Sequence, residues 1–289
     1  MKNSAQFFVQ YYIKKHLGFL WGTSISESDI FWKNFFRLKA SMQVDVIKES
    51  PKSLLLKSAI NNQPFECYVR SAPSSDVFVF RQIFQKKEYM SLVALIQKNN
   101  QADTIKLIVD AGANVGYTGV FLKLFFPEAY LLAIEPDQLN AEQINLNFTA
   151  NNIRDTEIIV AGVWSHDCFL ELKKDKSKGQ EWGFYVEESP VPTSLRAIDI
   201  LNLPQLSDGR LIDILKIDIE GSETKLFEDR EKARMLLSIT KYLAIEIHDD
   251  VADRRHIQQV LRENNFSWFE EGELTIASNE KLIQRQSKL

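Results

Sequence analysis

Apolar positions fall into two textures along the chain. From residue 103 onward they form short unbroken runs that alternate with stretches of helical period. Runs 105–110, 130–135, 157–163, 212–218 and 242–248 read as strands buried on both faces. Helices are predicted over 115–126, closed by Pro127, and from Pro136 and Asp137 to about 151. Two more follow, one from the strand ending at 218 to about 237 and one over 252–264. Segments 266–269 and 274–278 close the chain as a strand pair. Their connection is too short for a helical crossover, so one of the two must run antiparallel.

Residues 1–100 are more mixed. A helix over 30–39 places Phe31, Phe35 and Leu38 on one face, with Ser26 or Ser28 as its cap. Strands are predicted at 44–47, 54–56 and 65–69, separated by Glu49-Ser-Pro-Lys and Asn61-Asn-Gln-Pro turns. Residues 78–95 read as one helix. The aromatic-rich stretch 7–21, broken by Lys14, Lys15 and His16, reads as a helix packed on its own domain rather than on a membrane surface. The expected organisation is a helical and β cap or substrate region over 1–100 and a Rossmann-like α/β domain over 101–289. That domain carries a mostly parallel sheet with an antiparallel closing hairpin.

Composition narrows the function classes. A net charge of −4 supplies no basic field, and no nucleic-acid partner is expected. No apolar run approaches the roughly 20 residues of a spanning helix. The N-terminus has no unbroken apolar segment with a small-residue cleavage site, so no signal peptide is read and a cytoplasmic protein is expected. Cys67 and Cys168 have no metal-ligand spacing and read as reduced thiols; no metal is expected.

In an open α/β sheet, ligands sit beyond the carboxyl ends of the strands, where strand order reverses. The turn Asp110-Ala-Gly-Ala-Asn-Val-Gly116 lacks the GxGxxG pattern that cradles a pyrophosphate. An acid followed by bare backbone instead suits the ammonium and carboxylate of S-adenosylmethionine (SAM). The candidate cofactor contacts in this turn are Asp110, Gly112, Ala113, Asn114 and Gly116. A plain strand–turn–helix junction is the competing reading. Glu135, at the next strand tip, suits a pair of ribose hydroxyls, or else caps the helix that follows. Gly162 and Val163 are candidates for holding an adenine between apolar groups, with Trp164 either stacking on it or lying in the core. Asp218 and Glu220, two apart at a strand end, suit a base, a cation or the SAM amine. His248 suits a general base, or a structural hydrogen bond. The candidate catalytic residues are His248, Asp218 and Glu220.

Parallel strands with an antiparallel closing hairpin form the class I SAM-methyltransferase arrangement. The chain also resembles the FkbM family of SAM-dependent methyltransferases. The resemblance rests on Ile108-Val-Asp-Ala-Gly-Ala-Asn-Val-Gly-Tyr117, Ala133-Ile-Glu-Pro136, Leu215-Lys-Ile-Asp-Ile-Glu-Gly-Ser-Glu223 and Ala244-Ile-Glu-Ile-His248, with a further echo in Val79-Phe-Arg-Gln-Ile-Phe and Glu88-Tyr89. It covers roughly residues 77–250. It implies O-methylation of a small molecule or saccharide, SAM contacts at Gly112, Asn114, Gly116 and Glu135, and a site-forming role for Asp218 and Glu220. Ala161-Gly-Val-Trp departs from the less bulky stretch that family members often carry, and the first 75 residues match no pattern of the family. The competing functions are a metal-dependent sugar-nucleotide transferase using Asp218 and Glu220, and a non-catalytic module on the same fold.

Overall fold

The computed structural model describes residues 4–17, 24–174, 184–203, 206, 210–249 and 252–286. The chain divides into two compact units, Met1–Glu88 and Tyr89–Leu289.

In the first unit, α1 (Ser4–Leu17) and α2 (Glu27–Ser41) meet through aromatic rings, with Phe7 and Phe36 centroids 5.2 Å apart. Of the two candidate caps, Ser26 is used. Its hydroxyl accepts the Asp29 N–H at 3.2 Å, and the Asp29 carboxylate accepts the Ser26 N–H at 3.0 Å. Phe31, Phe35 and Leu38 are buried as their spacing predicts. Residues 18–21 of the aromatic stretch lie outside the described residues. Strands β1 (Asp45–Glu49), β2 (Ser53–Ile60) and β3 (Gln63–Arg70) form an antiparallel sheet in chain order. Burial alternates along it, with Leu54 and Leu56 inward on β2 and Phe65, Cys67 and Val69 inward on β3. The helix α3 (Asp76–Phe80) runs into one π-helical turn over Arg81–Gln85. The single helix expected over 78–95 is therefore broken. Lys87 takes a left-handed φ of 56°, which no helix continues through.

The second unit opens with α4 (Met90–Lys98), which the sequence reading placed in the N-terminal region. Then follow β4 (Leu107–Ala111), α5 (Tyr117–Phe125), β5 (Tyr130–Ile134), α6 (Gln138–Ala150) and β6 (Thr156–Ile159). Next come β7 (Gly162–Trp164), β8 (Cys168–Lys174), β9 (Phe184–Ser189) and β10 (Leu195–Asp199). The rest is β11 (Ile212–Ile217), α7 (Glu223–Glu228), α8 (Arg230–Ser238), β12 (Thr240–Glu246), α9 (Arg254–Glu263), β13 (Phe266–Glu271), β14 (Leu274–Asn279) and α10 (Glu280–Gln286).

Seven strands form the main sheet in the order β13-β14-β12-β11-β4-β5-β6. From β6 to β12 all neighbours are parallel, and only β14 is antiparallel to both of its neighbours. Every residue of β4 and β11 is buried, as continuous apolar runs require when helices cover both faces. The chain leaves β4 in one direction and returns to β11 on its other side. This places the switch point between the tips of β4 and β11. The α/β class with an antiparallel closing hairpin is thus observed directly in the strand order.

Three local expectations are corrected. The strand expected over 157–163 is two strands: β6 stays in the main sheet, whereas β7 turns away and pairs in parallel with β10. With β8 and β9 these form a second, four-stranded sheet in the order β7-β10-β8-β9, which the sequence reading did not foresee. The helix expected to run to 237 is split at Asp229, whose carboxylate leaves the helix and caps α8 by accepting the N–H groups of Glu231 and Lys232. Among the described residues no helix is long and apolar enough to cross a membrane.

Candidate active site

After β4 the chain must reverse to lay α5 on the sheet. It does so through three left-handed residues, Gly112 (φ 80°), Asn114 (φ 50°) and Gly116 (φ 80°). Asparagine tolerates that conformation better than most residues with a side chain. At Gly112 a second constraint applies, because a Cβ there would lie 1.7 Å from the Asp218 carbonyl oxygen. The first loop is therefore pressed against the backbone that follows β11. Gly116 instead lets α5 approach Ile144 and Phe148 of α6.

Glu135 stands just past β5 and is only 5% exposed. Its Oε2 accepts the Asn114 N–H at 2.8 Å, and its Oε1 accepts the Asp137 N–H at 3.0 Å and the Asn140 amide at 3.2 Å. The helix cap itself is Asp137, which accepts the Asn140 N–H at 2.8 Å. Pro136 accordingly precedes the cap rather than opening the first turn. Burial pushes the Glu135 carboxyl up to about 7, against the lowering effect of those three hydrogen bonds and of Lys216.

Beneath the loops lies a buried ion cluster. Lys216 on β11 reaches toward β4, where its ammonium donates to the Gly112 carbonyl at 2.5 Å. The same Nζ lies 3.3 Å from Asp110 and 3.5 Å from Asp218. Asp110 has no exposed surface, and burial raises its pKa while the Lys216 charge opposes the rise. For Lys216, burial works against the charge, but Asp110 and Asp218 outweigh it and the pKa is raised. Sequence reasoning missed Lys216; a lysine inside the run Ile-Leu-Lys-Ile was its signal.

β11 ends at Ile217 and β12 at Glu246, so Asp218, Glu220 and His248 sit on loops rather than on strand faces. Glu220 adopts a left-handed φ of 53° ahead of Gly221 at 93°. Such strain in a residue with a side chain is typical of functional turns. One turn later, Glu223 opens α7 with no exposed surface. Its Oε1 accepts the Ile219 N–H at 3.1 Å and lies 3.0 Å from His248 Nδ1. His248 Nε2 lies 3.6 Å from Glu220 and 3.8 Å from Glu246. The hydrogen bond to Glu223 is the largest influence on the imidazole. Burial opposes it, and the charges of Glu223, Glu220 and Asp218 add to it, raising the His248 pKa to about 9. Asp218, Glu220 and His248 bring one ligand-capable atom each within 4.8 Å of one another. The Lys216 ammonium also faces Asp218, at 3.5 Å.

A cavity of about 230 Å³ opens at the switch point, lined by Gly112, Asn114, Glu135, Pro136, Asn140, Ala161, Gly162, Val163, Leu170, Asp218, Ile219, Glu220 and Ser222. The structure thus gathers seven of the sequence candidates on one wall system: Gly112, Asn114, Glu135, Gly162, Val163, Asp218 and Glu220. Asp110, Ala113 and Gly116 are buried behind it, and His248 is reached through Glu220. Trp164 does not line the cavity. It packs with Leu170 and Ala197 in the core of the second sheet. That sheet brings Leu170, a residue unseen from sequence, to the cavity wall.

Comparison with known proteins follows the same loops. The Methyltransferase FkbM domain matches residues 110–267. "Methyltransferase 1" of Beauveria bassiana (strain ARSEF 2860) is 20% identical over 224 residues, spanning 70% of this chain and 86% of its own length. "Methyltransferase sdnD" of Sordaria araneosa is 22% identical over 223 residues, spanning 65% and 81%. Among solved structures, the magnesium protoporphyrin IX methyltransferase of Synechocystis PCC 6803 superposes with a TM-score of 0.43 at 13% identity, covering 73% of this chain and 86% of that one. The precorrin-6y C5,15-methyltransferase of Geobacter metallireducens GS-15 gives 0.37 at 11% identity, covering 65% and 85%. Since the domain match takes in more than half of the chain and encloses every loop that opens on the cavity, the chain belongs to the FkbM family of methyltransferases.

Proposed function

We propose that the protein transfers a methyl group from SAM to a hydroxyl of a small molecule or saccharide. The observation that carries this reading is Glu135, a buried carboxylate on the cavity wall bonded to the left-handed Asn114 turn. The cavity's chemistry suits the cofactor. In this reading Glu135 takes the ribose hydroxyls, the Gly112–Asn114 backbone and Asp218 the amino-acid end, and Gly162, Val163 and Leu170 the adenine, a division supported by their shared cavity.

SAM supplies an electrophilic methyl carbon on its sulfonium. The chain's own work is to bring an acceptor oxygen into contact at the Glu220 end of the cavity and to remove its proton. Holding the two reactants together supplies much of the barrier reduction. His248, beside Glu220, takes the hydroxyl proton, and the acids around it stabilise the imidazolium that results. Asp110 and Lys216 act from behind the wall by fixing the Gly112 carbonyl and the Asp218 carboxylate.

Calorimetric titration of the full chain tests the reading. Saturable uptake of SAM and of its demethylated product is expected, with no uptake of nucleotide sugars in the presence of manganese. The reverse pattern would overturn it.

A further inference from the structure

We infer that Glu223 is the positioning residue of this site: its buried carboxylate holds the Nδ1–H of His248 and leaves Nε2 as the atom that takes the acceptor's proton. The inference rests on the reading of His248 as the base and adds the residue that makes it one.

Glu223 has no exposed surface, yet only its Oε1 is engaged, by the Ile219 N–H at 3.1 Å and by His248 Nδ1 at 3.0 Å. Its Oε2 is buried with no hydrogen-bond partner. An unpaired buried acceptor is costly, and Asp110 bears the same cost beside Lys216, whereas Glu223 has no ammonium beside it among the described residues. What Glu223 does engage is one backbone amide of the strained turn and one ring nitrogen. A nitrogen facing a carboxylate at 3.0 Å must carry the hydrogen, so the neutral ring keeps its lone pair on Nε2. That lone pair lies beside the cavity-lining Glu220.

A proton arriving at Nε2 meets carboxylates from every element around the ring. These are Glu223 on α7, Asp218 and Glu220 on the turn after β11, Glu246 at the end of β12, and Asp249, which is paired with Arg254. Glu223, Glu220 and Asp218 hold the imidazolium to about pH 9. The acceptor oxygen loses its proton to Nε2 as it forms the bond to carbon, and the pair of the broken carbon–sulfur bond stays on sulfur. Only the neutral ring can take that proton, so its share grows as pH rises toward 9.

The test needs no acceptor. The imidazole signals of the four histidines in the isotopically labelled full chain are followed by NMR from pH 5.5 to 10, with His248→Asn identifying one set. Three results are expected. The His248 midpoint lies near 9 in the unaltered protein, the Nδ1–H form is seen above it, and the midpoint falls by at least one unit in Glu223→Gln, a tenfold loss of proton affinity. An unchanged midpoint in Glu223→Gln, or an Nε2–H ring in the unaltered protein, overturns the assignment. If Glu223→Gln does not fold, the tautomer in the unaltered protein decides alone. SAM titration on the same samples separates the two ideas, since loss of SAM binding in the unaltered protein sinks the methyltransferase reading while leaving the Glu223–His248 result standing.

Discussion

At the scale of the residue, Lys216 shows how a mostly acidic site is kept folded. Burying Asp110 alone would cost several kcal/mol, and a second carboxylate nearby would add repulsion. One ammonium between Asp110 and Asp218 offsets both and donates to the Gly112 and Ala111 carbonyls. Glu135 receives less help. Its carboxyl is raised from 4.5 to about 7 in the folded chain. The protonated form is thus favoured in the folded state, and this contribution to stability, complete below about 4.5, is lost as pH rises through about 7. If ribose hydroxyls require the ionised form, SAM affinity weakens about tenfold per pH unit below 7. Calorimetry at pH 6, 7 and 8 in buffers of different ionisation enthalpy should show proton release on binding near neutrality. In Glu135→Gln that pH dependence should vanish together with most of the affinity. Glu135 was legible in the sequence because an acid at a strand tip has a fixed place in this architecture. Glu223 was not, because only the approach of α7 to the end of β12 gives it a partner.

At the scale of the element, the Gly112 turn and the turn after β11 form one body. Asp218 donates its N–H to the Ala111 carbonyl at 3.0 Å, and its own carbonyl fills the space that a side chain at 112 would need. Gly112→Ala is expected to destabilise the fold by about 1–3 kcal/mol and to lower SAM affinity more than tenfold. Urea unfolding and calorimetry measure the two effects. Gly272 is the control, since it also has positive φ but nothing lies within 4 Å of its added Cβ. An alanine there should leave SAM binding intact. The elements misread from sequence share a cause. Residues 157–163 are apolar enough for one strand, but Gly162 and Val163 pair with Ala197 and Ile198 instead of continuing beside β5. Nothing in a local pattern announces a partner more than 30 residues away.

At the scale of the molecule, the strand order brings the loops after β4, β5 and β11 onto one cavity, so that SAM bound there as proposed is thermodynamically linked to the fold. A ligand held only by the folded state stabilises it by about 2.7 kcal/mol at a hundredfold excess over its Kd. For a unit of the size of Tyr89–Leu289 this corresponds to a rise in melting temperature of several degrees, at about 2–4 °C per kcal/mol. Differential scanning calorimetry with increasing SAM should show that rise, and a flat response would count against cofactor binding in this cavity.

The sequence by itself determined the parallel strands, the closing hairpin, the Gly112 turn and the acids at the strand tips. Each of these follows from burial, period or chain reversal over a few residues. Only the tertiary structure decided that Asp110 lies behind the wall with Lys216, that Leu170 of a second sheet completes the cavity, and that Glu223 faces His248. Those outcomes depend on which distant elements meet, and meeting is settled by the packing of whole surfaces rather than by the preference of any one segment.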